Sequence, residues 1–213
     1  NVTFRWGAPV LVPSSPDFTG GTARESASRN NISDIFYNRT GVTGTATYTI
    51  TPYKDGCAGD PQTVVIYVNP QPVLDPGLNT IVCSNSPVGL ILKEAPGSVP
   101  ATYFIVTNVT IDDGLSPLPG NAVINGLPSP ANYLAGDRYL NITGVNKNVT
   151  YRVRPANGAT GCIGDARDVV VTIRPQPYIA PGQVKTVCSG IPVGMEILLQ
   201  PLNTPSGTLF NWL

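Results

Sequence analysis

Histidine is absent from the 213-residue chain. With it go the commonest general base and the commonest metal ligand, and no Ser-His-Asp triad can be assembled from the chain's many serines. Charge is scarce as well: 12% of residues are charged, and 13 basic residues balance 13 acidic ones. A neutral chain has no field to draw in nucleic acid or an anionic membrane surface. No apolar run approaches the ~18 residues of a membrane-spanning helix, so membrane insertion is not expected. Glu25, Glu94 and Glu196 are scattered, and no carboxylate pair recurs in the manner of a glycosidase. Neither a Cys-x-x-Cys cluster nor histidine is present to build a tetrahedral metal site. These absences point to a chain that is not an enzyme and carries no cofactor. It also lacks a signal peptide and does not begin with Met, which reads as a mature or excised piece.

What is present is the vocabulary of short strands and turns. Glycine and proline contribute 22 residues each, as suits many strands joined by tight connections. The clearest pattern is a stretch that occurs twice. Val149–Pro155 and Val169–Pro177 are β-patterned and flank Gly161-Cys162-Ile163-Gly164; Ala46–Pro52 and Val64–Pro72 flank Gly56-Cys57-Ala58-Gly59 in the same way. Each copy ends in Pro-x-Pro, because proline cannot donate to a ladder and restricts its predecessor. Asn38 and Asn141 are 103 residues apart, as are Tyr48 and Tyr151. Cys57 and Cys162, Pro70 and Pro175, and Cys83 and Cys188 are each 105 apart. Phe4, Tyr103 and Phe210 share one aromatic position. A period near 105 residues is too long for a solenoid and suits a whole sandwich domain.

The repeat sets the expected boundaries. Residues 1–72 read as the C-terminal part of an immunoglobulin-like unit whose first strands are missing, and 73–81 as a linker and start. Residues 82–177 read as a complete unit, and 178–213 as a linker and the N-terminal part of the next. Strands are predicted in the complete unit over 80–83, 88–93, 102–111, 121–125, 138–141, 148–155 and 168–174. Tyr103, Ile105, Tyr151, Val153, Val169, Val171 and Ile173 alternate and are expected to supply much of its core. The fold class is therefore all-β: tandem immunoglobulin-like sandwiches. An alternative is that the incomplete ends complement each other between chains, making a filament subunit by donor-strand complementation. Against it, both ends carry the Phe-x-Trp strand (Phe4–Trp6, Phe210–Trp212).

Four cysteines at a repeated spacing suggest an oxidising compartment. Three pairings exist. Cys83 with Cys162 would tie the first strand of the complete unit to the loop before its last, leaving Cys57 and Cys188 to find partners outside the chain. Cys57 with Cys83 and Cys162 with Cys188 would instead staple successive units, each across 26 residues. Sandwich topology favours the first, because the first strand starts at the end that carries that loop. A bridge closing about 80 residues would stabilise by roughly 4 kcal/mol in the chain-entropy model.

Other candidate chemistry is thin. Asp112-Asp113, or Asp55, Asp60 and Asp165 near the cysteine loops, could at most hold calcium weakly at a domain junction, since no calcium-loop ligand set surrounds them. Asn1, Asn31, Asn38, Asn108, Asn141 and Asn148 each head an Asn-x-Ser/Thr sequon. The alternatives are glycosylation and a turn in which the asparagine side chain launches the next strand. Exposed Trp6, Trp212 or tyrosines could stack on sugars, although an aromatic on a central strand is far more often core.

The string Thr-Tyr-x-x-x-Pro, Gly-Cys-x-Gly, Val-x-Val/Ile-x-Pro-x-Pro and Val-Cys-Ser is carried by Thr150–Pro155, Gly161–Gly164, Val171–Pro177 and Val187–Ser189. It resembles the PKD-like, immunoglobulin-like repeats of giant cell-surface proteins of Bacteroidota, of the gliding-motility adhesin type exported by type IX secretion. The resemblance implies extracellular, non-catalytic stalk or adhesin modules. Their partners would be neighbouring repeats of the same polypeptide, identical chains in a filament, or surface polysaccharide. Departures are Ile105 where the other copies carry Trp6 and Trp212, and the long irregular section 107–136. A carbohydrate-binding accessory module of a secreted hydrolase is the main alternative function.

Overall fold

The computed structural model describes residues 2–25, 31–200 and 207–210. The chain separates into two compact units: one gathers Asn1–Asp75, Lys93–Tyr103 and Arg154–Asp165, the other Pro76–Leu92, Phe104–Val153 and Ala166–Leu213. Segments 93–103 and 154–165, which the repeat alone assigns to the complete module, thus join the first unit. Within it Ala95 N donates to Val73 O, and Arg39 forms a 2.6 Å ion pair with Asp165.

The first unit is built on β5 (Gly44–Lys54). One edge of β5 pairs with β1 (Val2–Trp6) and β2 (Val10–Val12). The other pairs with β7 (Gln62–Val68) and the two-residue β6 (Cys57–Ala58). A second small sheet pairs β3 (Phe18–Gly20) with β4 (Phe36–Asn38). Between the sheets lie the buried Phe18, Ala46 and Tyr48, the inward positions of an alternating strand.

The second unit repeats this plan and adds to it. A six-stranded sheet runs in the order β11 (Pro128–Ser129), β9 (Tyr103–Ile111), β13 (Lys147–Asn157), β15 (Arg167–Arg174), β8 (Thr80–Cys83), with β14 (Cys162–Ile163) on β13; β14 and the end of β13 from Arg154 fall in the segment grouped with the first unit. The facing sheet pairs β10 (Leu115–Pro117) with β12 (Tyr139–Asn141). The ladder between β8 and β15 is parallel, Thr80 opposite Val171 and Cys83 opposite Arg174. The fold is an all-β immunoglobulin-like sandwich.

Tyr151, Val153, Val169, Val171 and Ile173 are buried as expected; in β9 the buried positions are Phe104 and Val106, while Tyr103 and Ile105 are only half-buried. Residues 88–93 form no strand although Leu90 and Leu92 are core. Their backbone bonds go to the turn-rich segment 131–137, with Gly89 N to Ala135 O and Leu92 N to Ala131 O, so no ladder forms. Residues 121–125 are likewise not a strand, and β10 and β11 stand on either side of them.

The repeated Gly-Cys-x-Gly loop has a steric logic. Gly56 and Gly161 adopt φ of 86° and 70°, left-handed values that side chains disfavour. Gly59 N and Gly164 N each return 2.8 Å to the carbonyls of Pro52 and Pro155, closing the loop. A Cβ on Gly164 would run into the Pro72 carbonyl, whereas one on Gly59 would meet Pro52 Cγ at 3.0 Å. Gly164→Ala is therefore expected to destabilise by about 1–3 kcal/mol, and Gly59→Ala by less. Urea denaturation of the two variants checks the order; equal midpoints would contradict this packing.

Candidate functional site

Both repeated sequon asparagines are buried and fully used. Asn141 is 0% exposed. Its Nδ2 donates to Val145 O and Ile173 O, both at 2.8 Å, and its Oδ1 accepts from Thr143 N and Thr143 Oγ1 at 3.0 and 2.8 Å. Asn38 is 2% exposed and repeats the set: Nδ2 donates to Val42 O and Val68 O at 2.8 Å, and Oδ1 accepts from Thr40 N and Oγ1 at 3.1 and 2.7 Å. The Asn-x-Thr spacing is thus that of a side-chain turn whose amide reaches across to the end of the last strand. The expectation of glycosylation at Asn38 and Asn141 is corrected on this ground, for neither amide nitrogen has a free hydrogen or a path to solvent. Asn31, Asn108 and Asn148 are exposed and remain candidate acceptors; Asn1 lies outside the described residues.

A second buried element was missed in the sequence. Asp137 Oδ1 accepts from Ala122 N at 2.7 Å and Oδ2 from the Tyr151 hydroxyl at 2.7 Å, with the Tyr139 hydroxyl 2.8 Å from that of Tyr151. Burial raises the Asp137 carboxyl above its ordinary 3.8, with the bonds from Ala122 and Tyr151 opposing, and burial raises Tyr151 and Tyr139 as well. In the first unit Tyr48 donates to Asp34, and Phe36 packs edge-on to Tyr48 with ring centres 6.5 Å apart. Burial pushes Asp34 up, but the hydrogen bonds from Tyr48 and Thr22 and the charge of Arg24 outweigh it, so its pKa is lowered. The signal was available: Asp34 and Asp137 are 103 residues apart, the same offset as Tyr48 and Tyr151.

No cluster of three or more metal-ligating side chains occurs among the described residues. Asp165 bonds Arg39 and Gln71, and Asp112 accepts from Asn148 N. Trp6 is buried, and Trp212 lies outside the described residues, so of the two only Trp6 can be placed, and it is not displayed for sugar stacking.

All four cysteines are free thiols. The expected Cys83–Cys162 bridge is not formed, and the strand register gives the reason. Cys83 lies opposite Arg174, next to the Ile173–Lys147 pair, while Cys162 lies opposite Asn157 at the other end of β13. The ten residue steps from Lys147 to Asn157 span ~33 Å of strand, far beyond the reach of a disulfide. Strand β8 does run in the expected direction, but its cysteine stands at its finish.

The remaining feature is an apolar groove of about 470 Å³ on the first unit, lined by Phe4, Trp6, Ile50, Pro52, Val64 and Ile66 among others. The indole Nε1 of Trp6 is the one buried side-chain polar atom without a hydrogen-bond partner among the described residues.

Comparison with known proteins bears on the family. The PKD-like domain model matches residues 1–72 and 121–177. No curated protein matches the chain. The chain is similar to the solved structure of mouse protocadherin-24 EC1-3, with 11% identity and a TM-score of 0.27, over 81% of this chain and 58% of that one. It is similar to human CDH23 EC21-23 with 14% identity and a TM-score of 0.27, over 92% and 72% of the respective chains. Likeness at that level carries no argument about function.

Two outcomes are expected. Asn141→Ala should cost about 3 kcal/mol or more, because it strands the carbonyls of Val145 and Ile173 and the Thr143 amide; hydrogen exchange at residues 143–145 would rise, and unchanged exchange would contradict the role. The raised Asp137 pKa stabilises fully below 3.8, and that contribution is lost as pH rises through the folded value. Asp34, with its lowered pKa, stabilises above 3.8 and fails only as pH falls through its folded value. Asp137→Asn should therefore flatten the pH dependence of unfolding between about 4 and neutrality, measured by urea titration at stepped pH.

Proposed function

The chain belongs to the PKD-like domain family, and on that premise we propose that it is a non-catalytic structural and adhesive repeat module of a long extracellular bacterial surface protein. In this reading it is part of a stalk and cell-surface adhesion element of the gliding-motility adhesin type, exported by type IX secretion. The observation that carries the reading is the duplication of one complete structural device. The same buried asparagine plug and Asp–Tyr pair occur twice, 103 residues apart, and the same glycine-closed cysteine loop occurs twice, 105 residues apart. Selection for a particular reaction centre gives no reason to copy a whole scaffold, whereas reach and stiffness grow with each copy. The exposed Asn31, Asn108 and Asn148 and the zero net charge fit a module that meets solvent and glycans; no helix among the described residues is long and apolar enough to cross a membrane.

The test uses intact cells of the source bacterium and an antibody against this chain. The expected outcome is surface labelling that mild protease shaving removes, with loss of attachment to a solid surface when the repeats are deleted. Labelling only after lysis would overturn the reading.

A further inference from the structure

The two units differ on the outward faces of the sheets built on β5 and β13. In β5 the inward Gly44, Ala46 and Tyr48 are buried, so alternation turns Thr45, Thr47, Thr49 and Thr51 to the other side. The strand register extends that side into rows. Thr45 lies between Val12 of β2 and Tyr67 of β7, Thr47 between Val10 and Val65, and Thr49 beside Thr63. The valines in these rows are exposed, and Tyr67 is 74% exposed. From Thr45 to Thr51 the threonines cover ~20 Å of strand.

In the second unit the matching positions are closed by their own side chains. Thr49 and Thr63 correspond to Arg152 and Asp168, 103 and 105 residues on, which form a 3.0 Å ion pair. Thr45 and Tyr67 correspond to Asn148 and Thr172 at the same two offsets, and the Thr172 hydroxyl donates to Asn148 Oδ1 at 2.9 Å. The openness of the first unit's face does not depend on what stands beside β7. Strand β8 lies in plane with β15 and leaves the outward Asn148, Arg152, Asp168 and Arg174 exposed. A strand at the matching edge of β7 would therefore widen the face of the first unit and not cover it.

The chemistry of this face selects its occupant. The side-chain hydroxyls of Thr45, Thr47, Thr49, Thr51 and Thr63 form no hydrogen bond with another described residue. Charge is confined to one end, where Arg5 and Glu25, of opposite sign, line a depression of about 340 Å³ with Thr49 and Thr51. Arg5 also lies 4.3 Å from the centre of the Tyr53 ring. An anionic polymer finds no excess of positive charge here. An apolar protein face would cover the valines and Tyr67 but strand the hydroxyls, at a cost for each. A sugar chain meets both demands: its ring faces are apolar, and its hydroxyls both donate and accept.

Resting on the reading of the chain as an adhesive repeat, we propose that the outward face of β2, β5 and β7 is its adhesive face and that the ligand is an uncharged polysaccharide chain. Tyr67 stacks on one sugar ring, Val10, Val12 and Val65 flank the chain, and the threonines of β5 hydrogen-bond along it. The second unit does not bind in this way, because its ion pair and its Thr172–Asn148 bond occupy the same ground.

The test runs the full chain through native gels cast with hydroxyethylcellulose, galactomannan or arabinoxylan, with alginate as the anionic comparison. Slowed migration is expected in at least one neutral gel. Tyr67→Ala should weaken that binding by roughly tenfold or more. Thr49→Arg with Thr63→Asp, which installs the ion pair of the second unit, should abolish it. Both variants should keep the parent's urea midpoint, since the altered side chains are exposed. Tyr37→Ala, which removes an exposed tyrosine from β4, should bind as the parent does. No retardation in any neutral gel, equal retardation of the Tyr67→Ala chain, or retardation by alginate alone would each overturn the assignment. So would self-association in sedimentation velocity that Tyr67→Ala removes, for the occupant would then be a second copy. Surface labelling of cells without retardation would remove the ligand and keep the surface repeat, whereas retardation without surface labelling would do the reverse.

Discussion

A buried side-chain amide that faces two carbonyls on different segments leaves the strands carrying it almost no freedom. Asn141 sits at the end of β12 and holds both the turn at Val145 and the finish of β15 at Ile173; Asn38 does the same for Val42 and the finish of β7. Because both amides are buried, these bonds must all be made together or the groups are left orphaned at a cost of about 1–3 kcal/mol each. The plug therefore sets where the facing sheet meets the main sheet, and with it the position of the last strand. Only an asparagine followed two residues later by a hydroxyl residue satisfies both faces of the amide, so a sequence that reads as a glycan acceptor is here a structural joint.

The two units serve as a control for each other. They share the plug and the Asp–Tyr pair, so differences between them isolate the effect of their surroundings. Where β8 pairs with the edge of β15, the alternating valines of β15 are dry; in β7, whose outer edge pairs with no strand among the described residues, the same alternation is half open. Burial at these positions follows the cover and not the strand's own sequence. The polar pair responds to setting as well. Tyr139 gives Asp137 an extended and enclosed hydroxyl chain, while Phe36 leaves Asp34 more open and within the field of Arg24. The same carboxylate position is pushed in opposite directions by these surroundings.

Much of the scaffold was legible because alternation and punctuation are local signals. The strand at 80–83 was placed to the residue, and those at 102–111 and 168–174 to within one, since apolar alternation ends there at turn residues or proline. Residues 88–93 and 121–125 were misread for one reason: they alternate and are extended, but their partners are turn-rich segments, and partnership is not a local property. The core phase of β9 was missed because both of its faces are apolar enough to be inside. The cysteine pairing failed through strand length. Direction was correct, yet four residues of β8 carry Cys83 to the far end of the sheet from the loop it was meant to reach. Asp34 and Asp137 stand at the same offset as Tyr48 and Tyr151, so the acidic partner of the buried tyrosine is legible in the repeat itself.

The parallel ladder between β8 and β15 has a mechanical consequence. Thr80–Cys83 enters the second unit and Arg167–Arg174 leaves it, side by side and pointing the same way. Tension applied at the two chain ends pulls these neighbours in opposite directions along their shared axis. The load then falls on all of their hydrogen bonds at once, in shear, where an antiparallel hairpin pulled at its open end would unzip one bond at a time. Rupture must break the set together, so the unit resists stretching along that axis more than an antiparallel hairpin of the same length would.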